Sequence, residues 1–526
     1  LLQFASDFPI VRLKDWPRVT LSPEIHLSID SSVPLIRIRT LRDAPVQSRG
    51  RFVLYWMTAQ RRTTWNFALQ RAVDWARHLN SPLLIFEPLR LHGRWVSDRF
   101  HRFILQGMAD NQAALKSAPA LYFPFVEQKH GQGQGLFVAL ARRATVVVTD
   151  DFPGGCFPAL FRIASRRCPV RLEAVDSNGL LPLRATDRDF STAYSFRRFL
   201  QKTLPDHLTH FPRAQPLHKT DLPELKSLPR DIQQSWPMPP KELLAGDVES
   251  LQALPINHQV GPAACDGGPC AAQQVLKRFL QHRLPRYHLD RNQPEHEAAS
   301  GLSSYLHFGH ISVHDVVARL FKQEKWSPEQ LSDSPSGQRE GWWGLSPQAE
   351  RFLDELITWR ELGYNMCVHR SDYARYDSLP DWSKKTLAKH ACDAREFIYS
   401  LEELSAAKTH DDIWNAAQRQ LVQEGLMNNY LRMLWGKKIL EWTESPQQAL
   451  RFMIELNNRY AADGQDPNSY SGIFWVLGRY DRAWGPERPV FGTIRYMSSD
   501  STRRKLNLKN YLKRYSESRQ QELGWE

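Results

Sequence analysis

The sequence predicts an α/β domain with a mostly parallel sheet, followed by a larger all-helical domain. Three observations predict it. At 526 residues the chain exceeds one ordinary hydrophobic core. Between about 50 and 185, short apolar runs alternate with helical patterns, the order that builds a sheet covered on both faces. From 271 onward strand signals nearly vanish, while helical periodicity continues.

Residues 1–50 read as an N-terminal arm in which LIRIRTL is strand-like. RFVLYWM then gives a strand, TWNFALQRAVDWARHL a helix and SPLLIFEPL a second strand, which begins a βαβ unit. DRFHRFILQGMADNQAALK, YFPFVE, LFVALARRATVVVTDD and CPVRLEAVD extend the alternation, so 51–186 is expected to be the α/β domain. VLYWMTAQRR has no glycines after the first strand, which argues against a dinucleotide site of the G-x-G-x-x-G kind. The Pro-rich stretch 187–270, with AYSFRRFLQKTL inside it, reads as an interdomain linker over the surface. Helical patterns such as SSYLHFGHISVHDVVARLF and PQQALRFMIELNNRYAAD place the helical domain at 271–515, with 516–526 as a tail. No repeat or low-complexity tract is evident.

Apolar residues make up 42% and charged residues 24%, the balance of a soluble globular protein. No apolar run reaches the roughly 20 residues of a membrane span. The opening LLQFASDFPIVRLKDW lacks a basic start before an apolar block, so it is not read as a secretion signal. These readings lead to the expectation of a cytoplasmic protein. The formal net charge of +12 suits a polyanionic partner or a solvated basic enzyme equally. Six Cys with no C-x-x-C pair are expected to be reduced thiols, with no metal site.

Seventeen Trp are unusual, and their placement matters more than their number. MNNYLRMLWGKKILEW reads as a helix carrying Trp435 and Trp442 two turns apart, about 10.5 Å along the axis and on nearly one face. Trp414, in the preceding DIWNAAQ helix, can approach either end. On spacing alone this is either a buried aromatic stripe or a set of oxidisable rings. Arg432 lies three residues before Trp435 and must find a partner in an anionic ligand or in the acids of FLDELITWRE. Asn457, Asp463 and Asp466 crowd one turn, through capping or through a polar pocket. Within 482–514, Arg482, Arg488, Arg495, Arg503, Arg504, Lys505, Lys509, Lys513 and Arg514 face only Glu487 and Asp500. With Trp484, Phe491, Tyr496 and Tyr511 interleaved, this segment fits a phosphate-tracking surface with stacking groups, or a solvated basic face. Glu355 and Trp359 stand four apart on one helical face, suited to gripping a flat polar ring or forming an ordinary helix pair. No G-x-S-x-G or phosphate loop appears.

Together the blocks VLYWMTAQRRTTWNFAL, GLSSYLHFGHIS, FLDELITWRELGYN, YDSLPDWSKKTLAKH, LEELSAAKTHDDIWNAAQ, LRMLWGKKILEW, LNNRYAADGQDPNSYSG and ERPVFGTIRYM resemble the class II cyclobutane pyrimidine dimer photolyases of the photolyase/cryptochrome superfamily. The resemblance runs from about 37 to 515 and implies a photolyase-like fold with FAD held in the helical domain. It implies flavin contacts at Tyr287, Leu302, Ser303, Leu306, Arg432, Asn457, Asp463 and Asp481, with Asn457 beside the flavin N5. Trp435, Trp442 and Trp414 match the family's electron chain. Glu355, Trp359, Met433 and Trp475 match its lesion pocket, Arg291 the pocket edge, and Trp484 and Arg495 the groups that brace the gap in the duplex. The implied partner is UV-damaged double-stranded DNA with the dimer flipped out, bound by a monomer. The implied reaction is light-driven electron donation from reduced FAD, ring splitting and electron return. Members of the family often carry an antenna chromophore of the 8-hydroxy-deazaflavin type in the α/β domain, and no short motif here selects one.

The chain departs from the pattern in two places. Met427-Asn428-Asn429 stands where the family usually has Met-His-Gly, and LGRYDRAWGPERP differs in spacing by one residue on either side of Asp481. The rival readings are a cryptochrome-like flavin photoreceptor without repair activity and a nucleic-acid binder without flavin.

Overall fold

The computed structural model describes residues 29–517. The opening stretch of the arm and most of the tail lie outside the described residues.

Six strands form one sheet: β1 Ile38–Arg42, β2 Phe52–Trp56, β3 Leu83–Leu89, β4 Leu121–Val126, β5 Ala144–Asp150 and β6 Leu172–Val175, in the order β1-β6-β5-β2-β3-β4. All pairings are parallel except β1 with β6, where Ile38 faces Val175. The strand at this antiparallel edge comes from the segment read as an arm. Every residue of β2 and β5 is buried, as expected of strands covered on both faces. Helices α1 Phe67–His78, α2 Asp98–Leu115, α3 Leu136–Ala141 and α4 Phe157–Arg167 alternate with them. Asn66 starts α1 by accepting the N–H groups of Ala68 and Leu69 at 2.9 and 3.1 Å.

β2 lies between β3 and β5, so the crevice at their carboxyl ends is the switch point where α/β sheets commonly take a ligand. Here the chain fills it. Asp150 Oδ2 accepts the N–H groups of Thr58, Ala59 and Gln60 at 2.8, 2.8 and 3.0 Å, and Oδ1 accepts the Tyr55 hydroxyl at 2.7 Å. A carboxylate takes the backbone donors that a phosphate would need, which gives the missing glycines a structural counterpart.

The 187–270 segment is more than a surface strap. Its helix Ala193–Thr203 buries Phe196 and Leu200 in the core shared with Phe352, Leu353 and Leu356 of the helical region. Arg197 pairs there with buried Asp354 through Nε and Nη2, at 2.9 and 3.2 Å. A second seam is made by Glu361, which accepts the N–H groups of Leu180 and Leu181 at 2.7 and 3.1 Å. A Cβ on Gly179 would stand 2.5 Å from its carboxylate, so glycine is required for that approach. The remaining helices enclose a core that includes Trp414, Trp435, Trp442, Leu431 and Phe474.

Candidate functional site

The tryptophan segment is two helices, Asp412–Glu424 and Asn429–Glu441. Gly425, at φ 74°, ends the first in the left-handed conformation that favours glycine. Asn428 caps the second by accepting the Tyr430 N–H at 3.0 Å. From Leu434 to Leu440 every residue of the second helix is buried, so it is a core helix rather than an amphipathic one. A Cβ on Gly436 would stand 2.5 Å from Val476, so glycine permits helix Pro467–Val476 to pack close against it.

The three indoles are linked through Trp414. Its ring is parallel to Trp435, at 6.4 Å between centroids, and edge-on to Trp442 at 5.7 Å. All three are at most 3% exposed. Trp414 Nε1 donates to the Trp435 carbonyl at 3.0 Å, and Trp435 Nε1 donates to Gln418 at 2.9 Å, which fixes both planes. Trp442 packs in turn against Tyr399 and His410, at 5.5 and 5.1 Å.

The partner of Arg432 is not among the acids of FLDELITWRE. Asp354 is engaged by Arg197, Glu355 by Arg291 and Glu361 by backbone N–H groups. Arg432 faces Asp463 at 3.7 Å, beyond hydrogen-bond reach, and the buried Asp463 Oδ1 accepts no hydrogen bond. Donor and acceptor thus stand slightly apart, with capacity for a polar ligand. Asn457, on helix Pro446–Tyr460, donates its amide N–H groups to the Gly464 carbonyl and to Asn458 at 2.8 and 3.2 Å. Its amide oxygen therefore remains to accept from a ligand. Leu302 and Tyr287 are buried, Leu306 is half-buried and Ser303 is exposed, around the short helices Tyr287–Asp290 and Ser303–His307.

Glu355 and Trp359 lie in a π-helical turn, Asp354–Trp359, of a kind frequent at functional sites. Glu355 accepts from Arg291 Nη1 at 2.5 Å, and the Arg291 carbonyl accepts from Asn428 at 3.3 Å. Trp359, Met433 and Trp475 are all half-buried, in contrast to the sealed indoles of Trp414, Trp435 and Trp442. Arg495 lies over Trp475 at 5.6 Å and over Trp484 at 3.9 Å. Asp481 holds Arg495 through Nε and Nη2 at 2.8 and 3.1 Å, and accepts Trp484 Nε1 at 3.2 Å. The carboxylate of Asp481, expected among the flavin contacts, is thus engaged by the two residues expected to brace the duplex.

No family model matches the sequence. Individual relatives do. The chain is 32% identical over 479 residues to the deoxyribodipyrimidine photo-lyase of Methanothermobacter thermautotrophicus, covering 91% of this chain and 97% of that one. It is 34% identical to the enzyme of that name from Oryza sativa, over 88% of this chain and 86% of that one.

The chain belongs to the deoxyribodipyrimidine photo-lyase family.

A third photo-lyase, from Arabidopsis thaliana, is 32% identical over 90% of this chain and 92% of its own. The fold agrees with a solved bacterial class III photolyase from Agrobacterium tumefaciens, with a TM-score of 0.59 at 17% identity over 89% of this chain and 86% of that one. The predicted fold class therefore holds for this member of the photolyase/cryptochrome superfamily. Among the described residues, no group of three or more His, Cys, Asp or Glu could hold a metal ion, and no helix is long and apolar enough to cross a membrane. All six cysteines are free thiols. Two residues escaped the sequence reading of this photo-lyase relative. Lys437, on the tryptophan helix, is fully buried, and Arg197, in the stretch read as a linker, is a core ion-pair partner. The apolar residues on both sides of Lys437 in LRMLWGKKIL are the sequence signal for its burial.

Proposed function

We propose that this chain is a class II cyclobutane pyrimidine dimer photolyase, using light to drive an electron from reduced FAD to a dimer in DNA. The observation that carries the reading is the contrast between sealed and accessible aromatics. One group of indoles is buried around Trp414, with Trp435 parallel to it and Trp442 edge-on, while Trp359, on the turn that holds Glu355, and Trp475, on helix Pro467–Val476, remain half-buried.

The unsatisfied Asp463 Oδ1, the displaced Arg432 and the free acceptor of Asn457 fit a flavin ring with its alternating polar edge. Tyr287, Leu302, Ser303 and Leu306 would complete the FAD contacts. When bound, FAD supplies light absorption and a transferable electron. Asn457 Oδ1 would accept a hydrogen bond from a ring N–H, which favours the reduced form of the flavin. Trp359 and Trp475 would clasp the flipped-out dimer, with Met433 filling the floor. Arg291 holds Glu355 in one orientation, so the carboxyl group meets the polar edge of a pyrimidine at a fixed place. Arg495 and Trp484 would occupy the gap left in the duplex, where loss of pairing and stacking lowers the cost of flipping. An electron added to the dimer would break the two cyclobutane bonds between the pyrimidines, and its return would leave no net redox change. We further propose action as a monomer in the DNA-containing cytoplasm. The mechanism requires no antenna chromophore, because direct excitation of the flavin suffices.

The test is repair. The protein, reduced without oxygen, is mixed with a thymine-dimer oligonucleotide, and the ultraviolet absorbance of thymine is followed in blue light and in darkness. A rise only in light establishes the reading. No rise with fully reduced FAD in place refutes it and favours a cryptochrome-like photoreceptor.

A further inference from the structure

Lys437 belongs neither to the relay nor to the flavin contacts. It is 0% exposed in the middle of helix Asn429–Glu441, where a methionine would pack without the cost of burying a charge. A buried ammonium ordinarily pairs with a carboxylate. This one donates to the Val476 carbonyl at 2.6 Å and lies over the Trp475 ring, 4.9 Å from its centroid. The acid that acts on it, Asp481, is already held by Arg495 and Trp484. On its own helix, neighbouring Lys438 pairs with Glu441 at 2.8 Å. Helix Pro467–Val476 presents the indole and a carbonyl, and the loop beyond it presents Asp481 and Arg495. Arg495 also reaches Trp475, so one half-buried indole carries two cations.

We propose that Lys437 is a positioning residue for the lesion, its ammonium fixing the Trp475 ring and keeping that side of the pocket at positive potential. This rests on the photolyase reading, in which Trp475 clasps the dimer and the dimer takes on negative charge. A cation over a desolvated indole face is among the stronger forms of that interaction. Burial pushes the amine down to about 7, with Asp481 opposing the shift and Arg495 adding to it. The charge is therefore present at mildly acidic pH and lost above neutrality.

The test measures binding of the FAD-loaded protein to an oligonucleotide with one thymine dimer and to its undamaged counterpart, at about pH 6 and about pH 9. The preference of the unaltered protein for the dimer should fall about tenfold between the two. K437M should show the low preference at both values, with flavin content and undamaged-DNA affinity unchanged. K437R should restore the preference and make it independent of pH. Wild-type preference retained in K437M overturns the proposal. If K437M does not retain flavin, the other two proteins decide: a dimer preference that is flat with pH in the unaltered protein, or pH-dependent in K437R, overturns it equally. Absence of any dimer preference in the unaltered protein instead defeats the photolyase reading, and the role of Lys437 falls with it.

Discussion

The indole planes of Trp414 and Trp435 are 2° from parallel, and the Trp414 N–H is tied to the backbone of Trp435. Trp414→Phe keeps a ring but removes that donor, so the Trp435 carbonyl loses its side-chain partner at a cost of about 0.5–1.5 kcal/mol. Light-driven reduction of the bound flavin should slow far more than repair by chemically reduced protein. Equal slowing of the two, measured by flavin absorbance and by thymine recovery, would refute a relay role.

Glu355 and Arg291 act as a pair. Glu355→Ala leaves the guanidinium without its acceptor and removes the polar contact proposed for the lesion. Dimer affinity should drop about tenfold or more while affinity for undamaged DNA is nearly kept. A titration that weakens both DNAs equally would assign the pair to general DNA binding.

Arg432 and Asp463 stand apart at 3.7 Å, and each is proposed to bind the flavin. Asp463→Ala should weaken flavin retention about 10–100-fold, equivalent to one or two hydrogen bonds involving a charged group. Flavin content after gel filtration gives the answer, and full occupancy would remove Asp463 from the site.

Glu361 predicts a pH dependence of stability. Burial raises its carboxyl from the usual 4.5 to about 7, against the opposing effects of Arg360, the Leu180 and Leu181 N–H groups and Arg37. A group whose pKa is higher in the folded protein binds more protons there, so its stabilisation is complete below about 4.5 and is lost as pH rises through about 7. Glu361→Gln should remove that loss, a gain of about 2–3 kcal/mol above neutrality relative to mildly acidic conditions. Denaturant midpoints at the two extremes test it; parallel curves for the two proteins would show that the seam does not titrate.

The sheet and the helical domain were legible because burial imposes period two and period 3.6 on a sequence, and these runs are long. The candidate site was proposed from ordered blocks around Glu355, Arg432, Asn457 and Trp475, of which the structure sets Glu355 against Arg291 and Arg432 toward Asp463. Pairing across hundreds of residues was not. Nothing in DIWNAAQ states that Trp414 lies between Trp435 and Trp442, because a helix fixes its own faces but not what packs on them. The partner of Arg432 was open for the same reason, since several acids were equally near in sequence. Arg197 was hidden by Pro-rich surroundings that resemble a linker, and Lys437 by the expectation that a lysine points outward.

The Arg197–Asp354 pair bears on how the molecule can be divided. Asp354 immediately precedes Glu355, and its counter-ion arrives from a segment some 150 residues earlier in the chain. A fragment begun at residue 271 would keep every proposed lesion and flavin contact yet contain a bare anion in its core, a fault typically worth about 3–5 kcal/mol. Transplanting the helical half onto another carrier therefore requires the Ala193–Thr203 helix as well. The boundary drawn by composition is not the boundary at which the protein can be cut.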